Sequence, residues 1–138
     1  MTKRLDDVAE RLHAGAIRLL RRVRVADAEA GISPSALSAM SVIVFGGPTS
    51  LKDLAAAEQV TAPTMSKLVA DLETQGLAVK RKDRQDARAV RIEATAKGKR
   101  LLEEGRARRL AMLRAELKGF TSDEIAALDR AADLMLRI

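Results

Sequence analysis

Between Val60 and Thr95 the apolar residues change period twice, and few folds accept that order. From Thr61 onward they recur at helical spacing. At about 100° per residue, Met65, Leu68, Val69 and Leu72 fall within one arc, while Pro63, Thr64, Ser66, Lys67 and Ala70 fall on the other side. Gly76 closes this helix. Residues 77–82 then alternate as a strand, a charged loop follows over residues 83–89, and residues 90–94 alternate again. The spacing predicts a helix beside a two-stranded ribbon. Leu77 and Val79 are expected on the apolar face of the first strand, and Val90, Ile92 and Ala94 on that of the second.

Such a pair can place one element in a DNA groove and the other beside it. The outer face of the helix is short and polar, with no acidic residue before Asp71. Small residues, hydroxyls and a cation near the N-terminal end suit close approach to the major groove; an ordinary solvated face would mix in Glu and Asp. From Lys80 to Arg91 six basic side chains stand against two acidic ones. Arg84 and Arg88, at the loop tip, suit a narrow minor groove, where the potential is most negative. Asp86 between them is expected to pair with Arg88 or Arg81 and brace the loop.

Upstream, residues 3–29 carry Leu5, Val8, Leu12, Ala16, Leu19 and Val23 at helical spacing, with Gly31 as the stop. Ser33-Pro34 opens a helix to about Phe45, with Leu37, Met40 and Val44 expected inward and Gly46-Gly47-Pro48 ending it. Ser50 caps the next helix, with Asp53 three residues on and Leu51, Leu54 and Ala55 inward; the pattern breaks near Glu58-Gln59. Thr61 is the next cap, and Pro63 sits in the first turn, where its missing N–H costs nothing. Two short helices joined by a few residues form a helix-turn-helix.

Downstream, Thr95 caps a long helix to about residue 118, with a stripe of Leu101, Leu102, Leu110, Leu113 and Leu117. Gly98 and Gly105 are expected to weaken it locally by ~1 kcal/mol each. Thr121 to Glu124 reads as a capping box, with Phe120 and Ile125 as its hydrophobic staple. The last helix aligns Ile125, Leu128, Ala132, Met135 and Leu136. A monomer with apolar stripes on both its first and last helices would expose more apolar surface than is usual. Leu5, Val8, Leu12, Leu113, Leu117, Ile125, Leu128 and Met135 are therefore expected at a dimer interface, against the alternative of intramolecular packing alone.

Composition narrows the rest. At 138 residues, 47% apolar and 32% charged, one ordered domain is expected, or one DNA-reading unit with helices attached for assembly, and the net charge of +6 favours an anionic partner. There is no cysteine, which excludes disulfides and thiolate metal sites. No apolar run approaches the ~18 residues of a membrane span, and the charged N-terminus has no signal core, so a cytoplasmic chain is expected. Without Trp or Tyr, and with only Phe45 and Phe120, stacking on aromatics carries little. The single histidine, His13, lies off the apolar row of the first helix and reads as a surface or interface residue. With no phosphate-cradling glycine loop and no carboxylate cluster at an informative spacing, neither an enzyme, a metal site nor a cofactor is expected.

Residues 50–98 resemble the winged helix-turn-helix of the multiple antibiotic resistance regulator (MarR) family. The likeness rests on Leu54-Ala55, Val60, Thr64, Leu68-Val69, Leu72-Glu73, Gly76-Leu77, Arg81 and the run from Asp86 to Gly98. In that run the family has Asp, Arg two residues on, alternating aliphatics, then Thr and Lys-Gly opening a helix; Ala94 stands where the family has the aliphatic before Thr95. The resemblance extends over nearly the whole chain. It implies a mainly α fold, a winged helix-turn-helix with a two-stranded β wing, flanked by N- and C-terminal dimerisation helices. Residues 1–138 would form one domain, with 33–98 reading DNA and 3–30 and 99–138 dimerising. By the same likeness Thr61, Ala62, Pro63, Thr64, Ser66 and Lys67 face the major groove, while Arg81, Arg84, Asp86 and Arg88 serve the wing. The implied partner is double-stranded DNA, bound as a homodimer on a pseudo-palindromic operator, usually in repression. A small amphipathic effector is implied too, in a crevice near Ile17, Leu20, Leu37, Met40 and Phe45, residues equally suited to a core. The alternatives are a constitutive or architectural DNA-binding protein without effector control, and a basic protein-interaction module without sequence preference.

Overall fold

The computed structural model describes residues 1–138 as two compact units, Ala28–Arg106 and the combination of Met1–Asp27 with Ala107–Ile138. No single helix is long and apolar enough to cross a membrane. The central unit contains a single 3-10 turn (Ala28–Ala30), α2 (Pro34–Gly46), α3 (Leu51–Ala57), α4 (Ala62–Thr74), β1 (Ala78–Lys82), β2 (Val90–Ala94) and the start of α5 (Ala96–Leu117). Every fully buried hydrophobic side chain belongs to it, among them Met40, Ile43, Leu54, Met65, Val69, Leu72, Leu77, Ile92 and Leu102.

The helix starts follow the capping chemistry. The hydroxyls of Ser33, Ser50 and Thr61 accept the backbone N–H of Ala36, Asp53 and Thr64 respectively, each satisfying a donor that the first turn leaves unpaired. Faces were harder to read. On α2 the buried residues are Ala36, Ala39, Met40 and Ile43, whereas Leu37 and Val44 are only half-buried. The sequence PSALSAMSVIVFG is apolar on almost every side, so periodicity does not single out one row.

The ribbon also departs from expectation by one residue. β1 and β2 pair antiparallel with Ala78 opposite Ala94, Lys80 opposite Ile92, Arg81 opposite Arg91 and Lys82 opposite Val90. Opposite residues share a face, which puts Ala78 with the buried Ile92 and puts Val79 beside Glu93 on the other side. The cause is that Leu77 belongs to the end of α4. Its N–H donates to the Leu72 carbonyl at 2.9 Å and that of Gly76 to Glu73 at 3.0 Å, with Gly76 at φ +73°. This is a Schellman termination, and Leu77 packs into the core as its closing hydrophobe. The strand phase therefore starts at Ala78. Lys80, on the inner row, carries its ammonium out to Glu73 at 3.4 Å. A further one-residue pairing was not anticipated: Thr49 and Ile92 exchange backbone hydrogen bonds at 3.2 and 2.7 Å, fixing β2 to the α2–α3 turn.

The other unit holds α1 (Thr2–Asp27), the end of α5 and α6 (Ser122–Met135). Within it Asp27 accepts from Arg109 at 2.7 Å, and Arg22 pairs with Glu116. Thr121 and Glu124 form the reciprocal capping box, which holds the Glu124 carboxyl below the usual carboxylate range through the Thr121 backbone N–H and hydroxyl. No side chain in this unit is fully buried.

Candidate nucleic-acid interface

The turn entering α4 is closed by backbone. Val60 N–H donates to Ala55 at 3.0 Å and Gln59 N–H to Ala56 at 3.2 Å, with Gln59 held at φ 56°, a conformation that costs a non-glycine residue energy. This fixes the angle between the two helices. Thr61 then does local work: its oxygen accepts the Thr64 N–H at 3.3 Å and its hydroxyl donates to the Thr64 hydroxyl at 2.9 Å. Thr61 is thereby committed to the helix start, and the Thr64 hydroxyl keeps its own proton to donate outward. Thr61, Ala62, Pro63, Thr64 and Lys67 are exposed and Ser66 is half-buried, with Met65, Val69 and Leu72 turned into the core.

The far end of α4 is held by α5. The Thr95 hydroxyl donates to Gly76 O at 2.6 Å, its N–H to Leu77 O at 3.0 Å, and Lys97 Nζ to Gln75 O at 2.8 Å. Gly98 is tighter still. A Cβ there would lie 2.3 Å from the Leu77 carbonyl oxygen and 2.6 Å from Met40 Cε. Helix propensity alone marks Gly98 as a weakness in α5; the structure shows it as the point where α5 meets the closing residue of α4 and Met40 of α2.

In the wing the expected role of Asp86 needs correcting. It pairs with neither Arg88 nor Arg81; its Oδ1 accepts the backbone N–H of Arg88 at 3.0 Å and its carbonyl accepts Ala89 N–H at 3.0 Å. A carboxylate two residues before a turn N–H makes this bond locally, so the Asp86 carboxylate is used by backbone. Arg81 pairs with Glu93 at 3.0 Å. The ion pair that braces the loop is one sequence reading missed. Arg91 Nε donates to Asp83 Oδ2 at 2.8 Å and Nη1 to the Pro48 carbonyl at 3.1 Å, while Asp83 Oδ1 accepts Gln85 N–H at 2.9 Å. Once the register is known, Asp83 and Arg91 are diagonal neighbours across the hairpin, which was the available signal. Arg84 and Arg88 are exposed at the tip.

The hydrogen bond from Arg91, and then that from Gln85 N–H, hold the Asp83 carboxyl below its ordinary value. Its contribution to wing order is therefore present above the ordinary carboxylate range and lost as pH falls through the lowered value. Carboxyl-detected NMR titration is expected to show Asp83 with a midpoint below an ordinary aspartate. Arg91→Gln should move it up; no movement would mean that the Arg91 contact is not what lowers it.

The residues expected at a ligand crevice differ in exposure within their own units. Ile17 and Leu20 lie exposed on α1, while on α2 Met40 is wholly buried, Leu37 half-buried and Phe45 exposed. Met40 offers no surface to a ligand. A different groove, of about 530 Å³, opens between the start of α2 and α4, with Ile32, Ala36, Thr64, Lys67, Leu68 and Asp71 in its lining.

Comparison with known proteins agrees with this geometry. Residues 30–89, which span α2 to the end of the wing loop, match the family model described as MarR family. Over that stretch the chain is similar to the MarR family. An uncharacterised HTH-type transcriptional regulator of Mycobacterium leprae is 29% identical over 131 residues, covering 95% of this chain and 92% of that protein. Among solved structures, a MarR family protein from Bacillus stearothermophilus superposes with a TM-score of 0.82 at 23% identity, covering 99% of this chain and 96% of the other. A mutant of S. aureus MepR bound to an oligodeoxyribonucleotide superposes at 0.72 and 20% identity, covering 91% and 93%. At these identities the two structures speak for the MarR winged-helix fold.

Proposed function

We propose that this chain is a MarR-type, sequence-specific regulator of transcription that binds duplex DNA as a homodimer on a pseudo-palindromic operator, and that it acts as a repressor. The observation that carries the DNA reading is the committed geometry of two exposed elements, a helix with a small polar face and a basic wing. α4 is closed at both ends and presents Thr64 and Lys67 on an exposed face without a carboxylate before Asp71, while the wing presents Arg84 and Arg88 on a loop braced from inside. Thr64 and Lys67 are the readers of base edges, Pro63, Ala62 and Ser66 allow close approach, and the wing arginines supply the minor-groove or phosphate contact. The complex of MepR with an oligodeoxyribonucleotide supports a DNA partner for this fold.

Dimerisation is supported by the apolar residues that α1, the end of α5 and α6 leave exposed, Leu5, Val8, Leu12, Leu117, Ile125, Leu128 and Met135 among them, and by Leu113, which is half-buried. The repressor role rests on the family resemblance. Release by a small amphipathic molecule belongs to the same reading, and the groove beside α4 supports it, because an occupant there would share Thr64 and Lys67 with DNA.

Selection of bound duplexes from a random pool tests the proposal through sequence preference, symmetry and half-site spacing together. Two half-sites about one helical turn apart are expected; a pool that emerges unenriched would overturn it. On the selected operator, Arg88→Ala should weaken binding to all duplexes by roughly fivefold or more and lower the salt slope by about one. An unchanged slope would remove Arg88 from the interface. Lys67→Ala should change which operator is preferred; a uniform loss would instead assign Lys67 to the DNA backbone.

A further inference from the structure

We propose that Arg91, though it sits in the basic run of the wing, is a positioning residue and not a DNA contact: gripped by Asp83 and the Pro48 carbonyl, it fixes how far the wing tip stands from α4. The proposal rests on the DNA-reading role given above.

The reasons lie in how the guanidinium is used. Nε is spent on Asp83 and Nη1 on Pro48, so a phosphate at this site would have to compete with a carboxylate already 2.8 Å away. Asp83 is held from three directions. Its N–H donates to Ala89 O at 2.9 Å, Oδ1 accepts Gln85 N–H, Oδ2 accepts Arg91, and its side chain is only 16% exposed. The Asp83–Arg91 pair thus closes the base of the loop that carries Arg84 and Arg88. Pro48 lies outside the hairpin, in the α2–α3 turn, beside the Thr49 that pairs with Ile92. Consecutive residues of β2, Arg91 by side chain and Ile92 by backbone, are therefore tied to consecutive residues of the turn. One tie alone would leave the ribbon free to pivot about it; two set its angle. Register adds a further need for the carboxylates. Arg81 and Arg91 stand directly opposite each other, an arrangement that repels, and each is neutralised by its own partner, Glu93 and Asp83.

Charge makes the test unusually clean. Asp83→Asn removes a negative charge beside DNA, so the field alone would make binding tighter; loss of wing placement would make it weaker. Binding of wild type, Asp83→Asn, Arg91→Lys and Arg91→Gln to a labelled selected operator should be measured across salt concentrations. Hydroxyl-radical footprints should accompany it, with circular dichroism melts to establish folding. Each variant is expected to bind about 5- to 30-fold more weakly with the salt slope of wild type. Protection from α4 should be retained and protection from the wing lost or displaced. Arg91→Lys keeps the charge but lacks the planar fork that reaches two acceptors at once, so it carries the test if Asp83→Asn does not fold. Undiminished binding by Asp83→Asn or by Arg91→Lys overturns the proposal, as does a salt slope lowered by about one in Arg91→Gln, the mark of a lost phosphate contact. A wild-type chain that prefers no duplex removes the DNA reading and this role together. One that does, while Asp83→Asn binds as well, removes this role alone.

Discussion

Gly98→Ala is expected to lower the melting temperature of the protein, although alanine is the better helix former. The added Cβ would fall 2.3 Å from the Leu77 carbonyl oxygen and 2.6 Å from Met40 Cε. The methionine end can swing aside, but the carbonyl cannot, because it is backbone and already accepts the Thr95 N–H at 3.0 Å. Overpacking of this kind costs about 3 kcal/mol when backbone must shift, and the helix propensity of alanine returns about 1 kcal/mol. A net loss of about 2 kcal/mol corresponds to a fall of roughly 6–10 °C for a chain of this size. Gly15→Ala makes the control. Gly15 lies in α1 with nothing within 4 Å of the added atom, so propensity acts unopposed and stability should rise by up to ~1 kcal/mol. Thermal melts of the two variants should move in opposite directions. A Gly98→Ala protein as stable as wild type would mean that α5 and the Leu77 backbone do not approach this closely in solution.

Leu128→Asp should turn a dimer into a monomer and abolish operator binding. Leu128 lies mid-way along α6 and is 41% exposed in the single chain, in a unit with no fully buried side chain. If a second copy covers that surface, two-fold symmetry places residue 128 in the interface twice. Burying a carboxylate where a leucine packed then costs about 2–4 kcal/mol at each occurrence, enough to weaken association by three orders of magnitude or more. Operator affinity would follow, since linked half-site binding gains from the effective concentration that the dimer supplies. Sedimentation velocity and gel shift at matched concentration check both halves. A Leu128→Asp protein that still sediments as a dimer would move the interface elsewhere; one that is monomeric yet binds the operator fully would remove the need for a dimer.

The parts of this fold that were legible in the sequence are those set by local chemistry. Ser33, Ser50, Thr61 and Thr121 each announce a helix start because the hydroxyl and the N–H it accepts are only three residues apart. Gly76 announces a stop because glycine readily takes the positive φ that ends a helix. The exposure of Thr64 and Lys67 followed from helical periodicity, and that of Arg84 and Arg88 from their place at the loop tip. What escaped notice depends on register or on distant contacts. The alternation that begins at Leu77 predicts the wrong face of β1, because the closing of α4 claims Leu77. Asp83 finds Arg91 only after the hairpin pairing is known, and Asp86, the more conspicuous acid, turned out to serve backbone. Gly98 looked like a defect because a helix read alone does not reveal the carbonyl lying against it.

The hairpin has one further property. β2 is flanked by β1 on one side and Thr49 on the other, so the outer rim of β1 is left without a strand beside it. Open rims of this sort invite another chain to add on, the first step toward aggregation. Here the rim carries Lys80, Arg81 and Lys82 in succession. Glu73 and Glu93 pair with the first two, which leaves Lys82 as the cation that disfavours a second strand on this edge.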